Sequence, residues 1–238
     1  MPLTDHLEEL RSRLLRSLVA VFVAALACYW VIDPLLALLL APLQSVGGDE
    51  LKIIGTGVAE AFFTKIKVAV IAGIFVASPI LFFQTWRFVA PGLRDHEREY
   101  VLPFVGFATF FFLAGAAFCY WLVFPTAFAF FVDQYRASGI APLIRVSEYL
   151  SFSSRMLLAF GATFELPVFT FFFARIGLVT HTQMISYWRY ALLGVFIVAA
   201  VLTPGPDVAS QLLMAAPLLV LYVASIGVAK VFGQPRQP

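Results

Sequence analysis

Carboxylates in three settings carry most of the chemistry available to this sequence. The first is Glu165, set in the apolar stretch FGATFELPVF at 160–169. Translocon scales put an acidic or basic residue at mid-helix at about 2.5–3.5 kcal/mol unfavourable, so such residues usually face a bundle interior. Pro167, two positions on, has no N–H and frees the carbonyl of Thr163 one turn earlier. A kink with exposed backbone polarity beside a carboxyl can recruit water, so Glu165 is expected on a hydrated concave face. The competing reading is a glutamate hydrogen-bonded to a neighbouring helix purely to fix packing. The second setting is Glu8 and Glu9 near the amino terminus. The third is Asp95, Glu97 and Glu99 in RFVAPGLRDHEREY, residues 87–100. Separated carboxylates can each accept a two-pronged bond from a guanidinium, which would make a docking site for a basic ligand. On spacing alone they read first as a solvated charged face, with Glu9 and Arg13 as a favourable i,i+4 pair.

Other chemistry is excluded by what these residues lack. HEREY (96–100) misses the zinc-protease pattern H-E-x-x-H because Tyr100 stands where the second histidine belongs. The remaining histidines, His6 and His181, are far off in sequence. No nucleophile elbow, phosphate-binding loop, dinucleotide fingerprint or pair of intramembrane aspartates occurs, so an enzyme is not expected, nor a metal or cofactor. Cys28 and Cys119 sit singly in apolar blocks and read as small core or lipid-facing residues.

The elements that must position these groups are membrane helices. Of 238 residues, 61% are hydrophobic and only 13% charged, against about 25% charged in an ordinary soluble domain. Residues 17–32, 68–86, 101–132, 190–206 and 208–229 hold no charged side chain, and 156–174 holds only Glu165. A spanning helix needs roughly 20 mostly apolar residues. The expected fold is an all-α polytopic membrane protein in one domain, with spans near 16–33, 66–87, 101–124, 153–175, 189–203 and 208–229. With both termini cytoplasmic, ten of the sixteen lysines and arginines lie inside, as the positive-inside rule favours.

Smaller features complete the frame. Leu3, Leu7, Leu10 and Leu14 form one apolar stripe behind the capping pair Asp5 and Glu8. That pattern predicts a short amphipathic helix along the cytoplasmic interface, turning afterwards into the bilayer. PLLALLLAPL (34–43) is too short to span and predicts an interfacial or loop-capping helix. The segment 190–203 would rise about 21 Å as a helix, short of a core of about 30 Å.

Six segments also resemble, in order and spacing, the motifs of the TatC family, the multispanning receptor of the twin-arginine protein translocase. They are HLEELRSRL (6–14), APGLRDHERE (90–99), VFPTAF (123–128), EYLSF (148–152), FGATFELP (160–167) and LTPGPDVASQ (202–211). The resemblance runs from about residue 3 to residue 230. It implies that Glu9 and Glu97 receive the paired arginines of a signal peptide, with Phe88, Pro91, Leu93 and Arg98 lining that site. It implies that Pro42 belongs to an outer loop important for transport, and that Glu165 faces a concavity. Thr203 and Gln211 match a polar cluster where the single-span partners TatA and TatB dock. In one place the chain departs from the family: Gly205 separates Pro204 and Pro206, where typical members carry adjacent prolines before the aspartate.

The function so implied is a receptor and core subunit that exports folded proteins across the bacterial cytoplasmic (inner) membrane, driven by the proton gradient and without nucleotide. Its partners would be TatA, TatB, twin-arginine signal peptides, the lipid bilayer and further copies of itself, with no nucleic acid. The alternative is an ion-coupled small-solute transporter with Glu165 as its proton site. Against it stand the lack of a second intramembrane charge and of the internal repeats that many transporters show.

Overall fold

The computed structural model describes residues 3–47, 51–89, 101–139, 142–203 and 208–233, with the side chains of 3–6, 89 and 101 set aside. Glu97, Pro91, Leu93, Arg98 and Gly205 therefore lie outside the described residues. Helix α1 spans Leu3–Trp30 and α2 Ile32–Gly47; α3 spans Glu60–Val89. Helix α4, Val101–Phe118, passes through one wide π turn, Cys119–Val123, into α5, Phe124–Ala137. Then come α6, Val146–Arg175, α7, His181–Ser186, α8, Trp188–Leu202, and α9, Val208–Phe232. Among the described residues, five helical stretches are long and apolar enough to cross a membrane. Helix α8, with 15 residues, is the short sixth member and pairs with α9. The chain is thus an all-α polytopic membrane protein.

One expectation fails at the amino terminus. The leucine stripe and the first apolar block form a single unbroken helix, with no turn between an interfacial and a spanning part. The reason is local. No glycine or proline occurs between Leu3 and Trp30, and leucine, arginine and alanine all propagate a helix at little cost.

Prolines shape the other helices through the acceptors they release. Pro42 lies inside α2, so the carbonyl of Leu38 loses its helical donor. The hydroxyl of Tyr120 donates to that carbonyl at 2.9 Å. One residue on, the Tyr149 hydroxyl donates to the Leu39 carbonyl at 2.6 Å. These two tyrosines, from the π turn and from α6, clamp α2 across the end of the bundle. Pro79 repeats the device inside α3, where Ser78 Oγ donates to the Phe75 carbonyl at 2.7 Å. Pro125 opens α5 and cannot donate. The ladder slips there into the π turn, closed by Phe124 N–H donating to Cys119 O.

The two segments at the α2 end are joined by a feature the sequence did not announce. Lys52–Ile54 (β1) and Leu143–Arg145 (β2) pair in parallel, Ile53 opposite Ile144. The Glu60 carboxylate accepts from Thr56 N at 2.6 Å, Gly57 N at 2.9 Å and Ser147 N at 3.2 Å. It thereby caps α3 and grips the start of α6. The Arg145 guanidinium donates to Thr56 Oγ1 and to Glu148.

At the opposite end, Gly177 takes φ 77° and closes α6. The Leu178 N–H reaches back to Phe173 O and the Gly177 N–H to Ala174 O, the Schellman arrangement that satisfies the last carbonyls. Thr180 and Gln183 then form a capping box that starts α7, and the Tyr222 hydroxyl ties α9 to Met184 O at 2.8 Å.

Candidate functional site

The register of α1 against α3 decides where Glu9 stands. Asp33, just beyond α1, takes the Lys65 ammonium at 2.7 Å. A β-carbon at Gly73 would sit 2.7 Å from the backbone nitrogen of Ala25, so the two backbones touch there. Eight residues back on one strand of the pair correspond to eight residues on along the other, which is an antiparallel register. The same register puts Glu9 level with residues 88–89, at the end of α3 and beside Phe88.

Glu9 is half-buried and accepts the Arg13 Nε at 3.0 Å, with a second Arg13 nitrogen on the same oxygen. The i,i+4 pair expected from spacing is formed. It does not exclude a docking role, because an incoming guanidinium can exchange with Arg13. Phe88 is half-buried as well. The residue before it, Arg87, lies over the Phe83 ring at 5.8 Å from its centroid.

Glu165 sits deep in the seam between α4 and α6, only 3% exposed. That seam is tight because two glycines leave room for it. A β-carbon at Gly115 would lie 2.6 Å from the Phe160 carbonyl oxygen, and one at Gly161 would lie 2.8 Å from the Phe112 ring. Phe112 in turn stacks on Phe75 at 4.9 Å and meets Phe82 edge-on at 5.6 Å. Toward the α7 end, Trp86 stacks on Phe104 at 4.3 Å and meets Phe172 edge-on at 4.3 Å. The carboxyl is thus enclosed by aromatic layers contributed by α3, α4 and α6.

Both Glu165 oxygens are buried and make no hydrogen bond of normal geometry, although the Phe112 main chain comes near. The Thr109 hydroxyl, one turn from Phe112 on α4, is likewise buried without a partner. The expected hydrated concave face is therefore not found: Glu165 is enclosed. The polar group that helix α4 brings beside it is the Phe112 main chain. Pro167 is itself buried within α6, and helix α4 packs over this part of the helix.

The remaining sites are placed as follows. Gln211 Nε2 donates to the Phe196 carbonyl at 3.0 Å, linking α9 to α8. Thr203 Oγ1 donates to Ala199 O at 3.0 Å at the carboxyl end of α8. Both are half-buried and stand at the same end of the α8–α9 pair. Pro42 is buried within α2. Sequence reasoning missed Tyr120, Tyr149 and Glu60 as the groups that fix this end. For Tyr120 a signal existed, since a proline inside a helix always leaves one carbonyl looking for a donor.

A bundle of apolar helices with a carboxylate at one end, an enclosed carboxyl at mid-depth and no catalytic constellation among the described residues defines a multi-pass membrane protein. Comparison with known proteins narrows this to protein transport. The family model described as Sec-independent protein translocase protein (TatC) matches residues 5–217. The TatC protein of Desulforapulum autotrophicum is 45% identical over 235 residues, covering 99% of this chain and 86% of that protein. That of Carboxydothermus hydrogenoformans is 42% identical over 237 residues, covering 100% and 96%. A crystal structure of the twin arginine translocase receptor TatC superposes with a TM-score of 0.85 at 32% identity, covering 95% of this chain and 98% of that one. The chain belongs to the TatC family of Sec-independent protein translocase proteins. That is a family of transport components, not of enzymes.

Proposed function

We propose that this chain is the signal receptor and organising core of a twin-arginine translocase in the bacterial inner membrane. Glu9 and Glu97 would each take one guanidinium of the paired arginines, with Phe88, Pro91, Leu93 and Arg98 around them. The observation that carries this reading is the antiparallel register of α1 and α3. It brings Glu9 level with the carboxyl end of α3, the helix from which the segment bearing Glu97 follows in sequence. A signal entering there meets Glu9 already held by Arg13, so only a ligand with a stronger two-pronged bond displaces it. Guanidinium does so better than ammonium, since its planar fork matches both carboxylate oxygens.

From that end the apolar part of the signal would run along the helices toward Glu165. TatA and TatB would dock along α8 and α9, near Thr203 and Gln211. The short α8, about 22 Å long at 15 residues, favours a locally thinned bilayer around that surface. Energy would come from the proton gradient, and both termini would face the cytoplasm.

Site-specific crosslinking of a twin-arginine signal peptide to the chain in membranes tests the proposal. Capture is expected for Arg-Arg, weak for Lys-Lys, and lost in Glu9→Ala and in Glu97→Ala. Capture indifferent to all of these changes would return both glutamates to the solvated surface.

A further inference from the structure

The α2 end of the bundle carries two cations that no carboxylate pairs with among the described residues. An open groove of about 310 Å³ lies between the first turns of α3 and α6, lined by Glu60, Phe63, Thr64, Lys67, Ser147 and Ser151. The charges along it are unequal in their state of satisfaction. Glu60 accepts three backbone N–H groups and the Thr56 hydroxyl, three of the four on Oε2 and Ser147 N on Oε1, so its carboxylate is already engaged by its own end of the fold. Lys65 is paired with Asp33, and Arg145 with Glu148. Lys67 has no such partner. Its Nζ donates to Ser151 Oγ at 2.8 Å, and the Ser151 hydroxyl itself donates to the Ser147 carbonyl. The hydroxyl therefore fixes the ammonium in place without neutralising it, and two of its three N–H donors remain for another acceptor.

Arg155 stands exactly one i,i+4 step beyond Ser151 on the same face of α6 and is exposed. Among the described residues no carboxylate pairs with Arg155 or with Lys67. Both lie well inside their helices, seven residues into α3 and nine into α6, or about 10 and 14 Å along the axes. Their surroundings are apolar and open, with Phe63 65% and Val70 40% exposed. Against the expected spans 66–87 and 153–175 both stand at the outer ends, and a cation there on an open apolar surface is neutralised most directly by an anion that the membrane itself carries.

We propose that this groove binds the phosphodiester of a phospholipid headgroup. Lys67 and Arg155 hold its two free oxygens, since the guanidinium fork fits phosphate in a two-pronged way. Ser151 positions Lys67, and Phe63 packs against the glycerol and first acyl methylenes. Glu60, engaged by Thr56, Gly57 and Ser147 and still anionic, walls off the outer end and keeps the phosphate toward the two cations.

The test is native mass spectrometry of the intact chain in mild detergent, titrated with phosphatidylglycerol. A phosphate-free glucosyl diacylglycerol and inorganic phosphate serve as the comparison arms. Wild type is expected to retain one phosphatidylglycerol. Its affinity should fall about fivefold in Lys67→Gln or Arg155→Gln and about thirtyfold in the double variant. Lys67→Arg should keep most of the affinity, and Lys65→Gln, whose cation is already paired, should behave as wild type. Equal retention by the double variant, or equal retention of the glucolipid, would overturn the proposal. So would displacement of the lipid by millimolar inorganic phosphate, which would make the groove a site for free anions.

Discussion

Replacing Gly115 by alanine tests the claim that the α4–α6 seam is held at backbone contact. The new β-carbon would stand 2.6 Å from the Phe160 carbonyl oxygen and 2.8 Å from Phe164 Cβ. The first of these is backbone and cannot rotate away, so the helices must part by about 0.8 Å to restore a normal contact of 3.4 Å. Overpacking of this kind costs about 1–3 kcal/mol. Gly106 lies in the same helix, but a β-carbon there meets nothing within 4 Å. Alanine at Gly106 gains only helix propensity, about 0.5–1 kcal/mol of stabilisation. The same substitution in one helix is thus expected to act with opposite signs. Reversible unfolding by dodecyl sulfate in a mild detergent measures both, with tryptophan fluorescence as the signal because Trp86 is stacked against Phe104 across α3 and α4. If the two variants shift stability in the same direction, or Gly115→Ala stays within about 0.5 kcal/mol of wild type, the close-contact account is wrong.

Other expectations follow from single groups. Tyr120→Phe should cost about 1 kcal/mol by leaving the Leu38 carbonyl without a donor; on a Pro42→Ala background, where a backbone N–H returns, the cost should largely vanish, and equal costs on both backgrounds would refute the assignment. Glu165→Met should raise resistance to dodecyl sulfate by about 1–3 kcal/mol, because it removes a buried carboxyl without hydrogen bonds, while abolishing export of a folded twin-arginine reporter. A variant that exports normally would remove the functional reason for keeping the acid. Cys119, fully buried, should resist maleimide labelling in the folded chain and react on unfolding; rapid labelling of the native protein would contradict the packing around the π turn.

Much of this protein was legible in one dimension because its solvent is a bilayer. Long uncharged blocks have few alternatives there, since every backbone polar group must be satisfied within a helix. The blocks therefore mapped onto helices, and even the 15-residue α8 could be recognised as a short partner of α9. The isolated glutamate before Pro167 and the ordered carboxylate motifs were visible for the same reason: polar groups in such a chain are rare enough to stand out.

What remained hidden depended on which residues far apart in sequence came into contact. The turn expected between the leucine stripe and the first span does not exist, because nothing in 3–30 breaks a helix. The three-residue parallel pairing of β1 with β2, and Glu60 joining the starts of α3 and α6, link segments about ninety positions apart. No local pattern reports such a closure. Glu165 shows the division most clearly. Residue type and spacing determined that a carboxyl lies at mid-depth in α6. Only the tertiary fold decided that it is enclosed, since Gly115 and Gly161 let α4 approach closely enough to cover it with Phe112. Burial is a property of the neighbour that arrives, and that neighbour comes from another part of the chain.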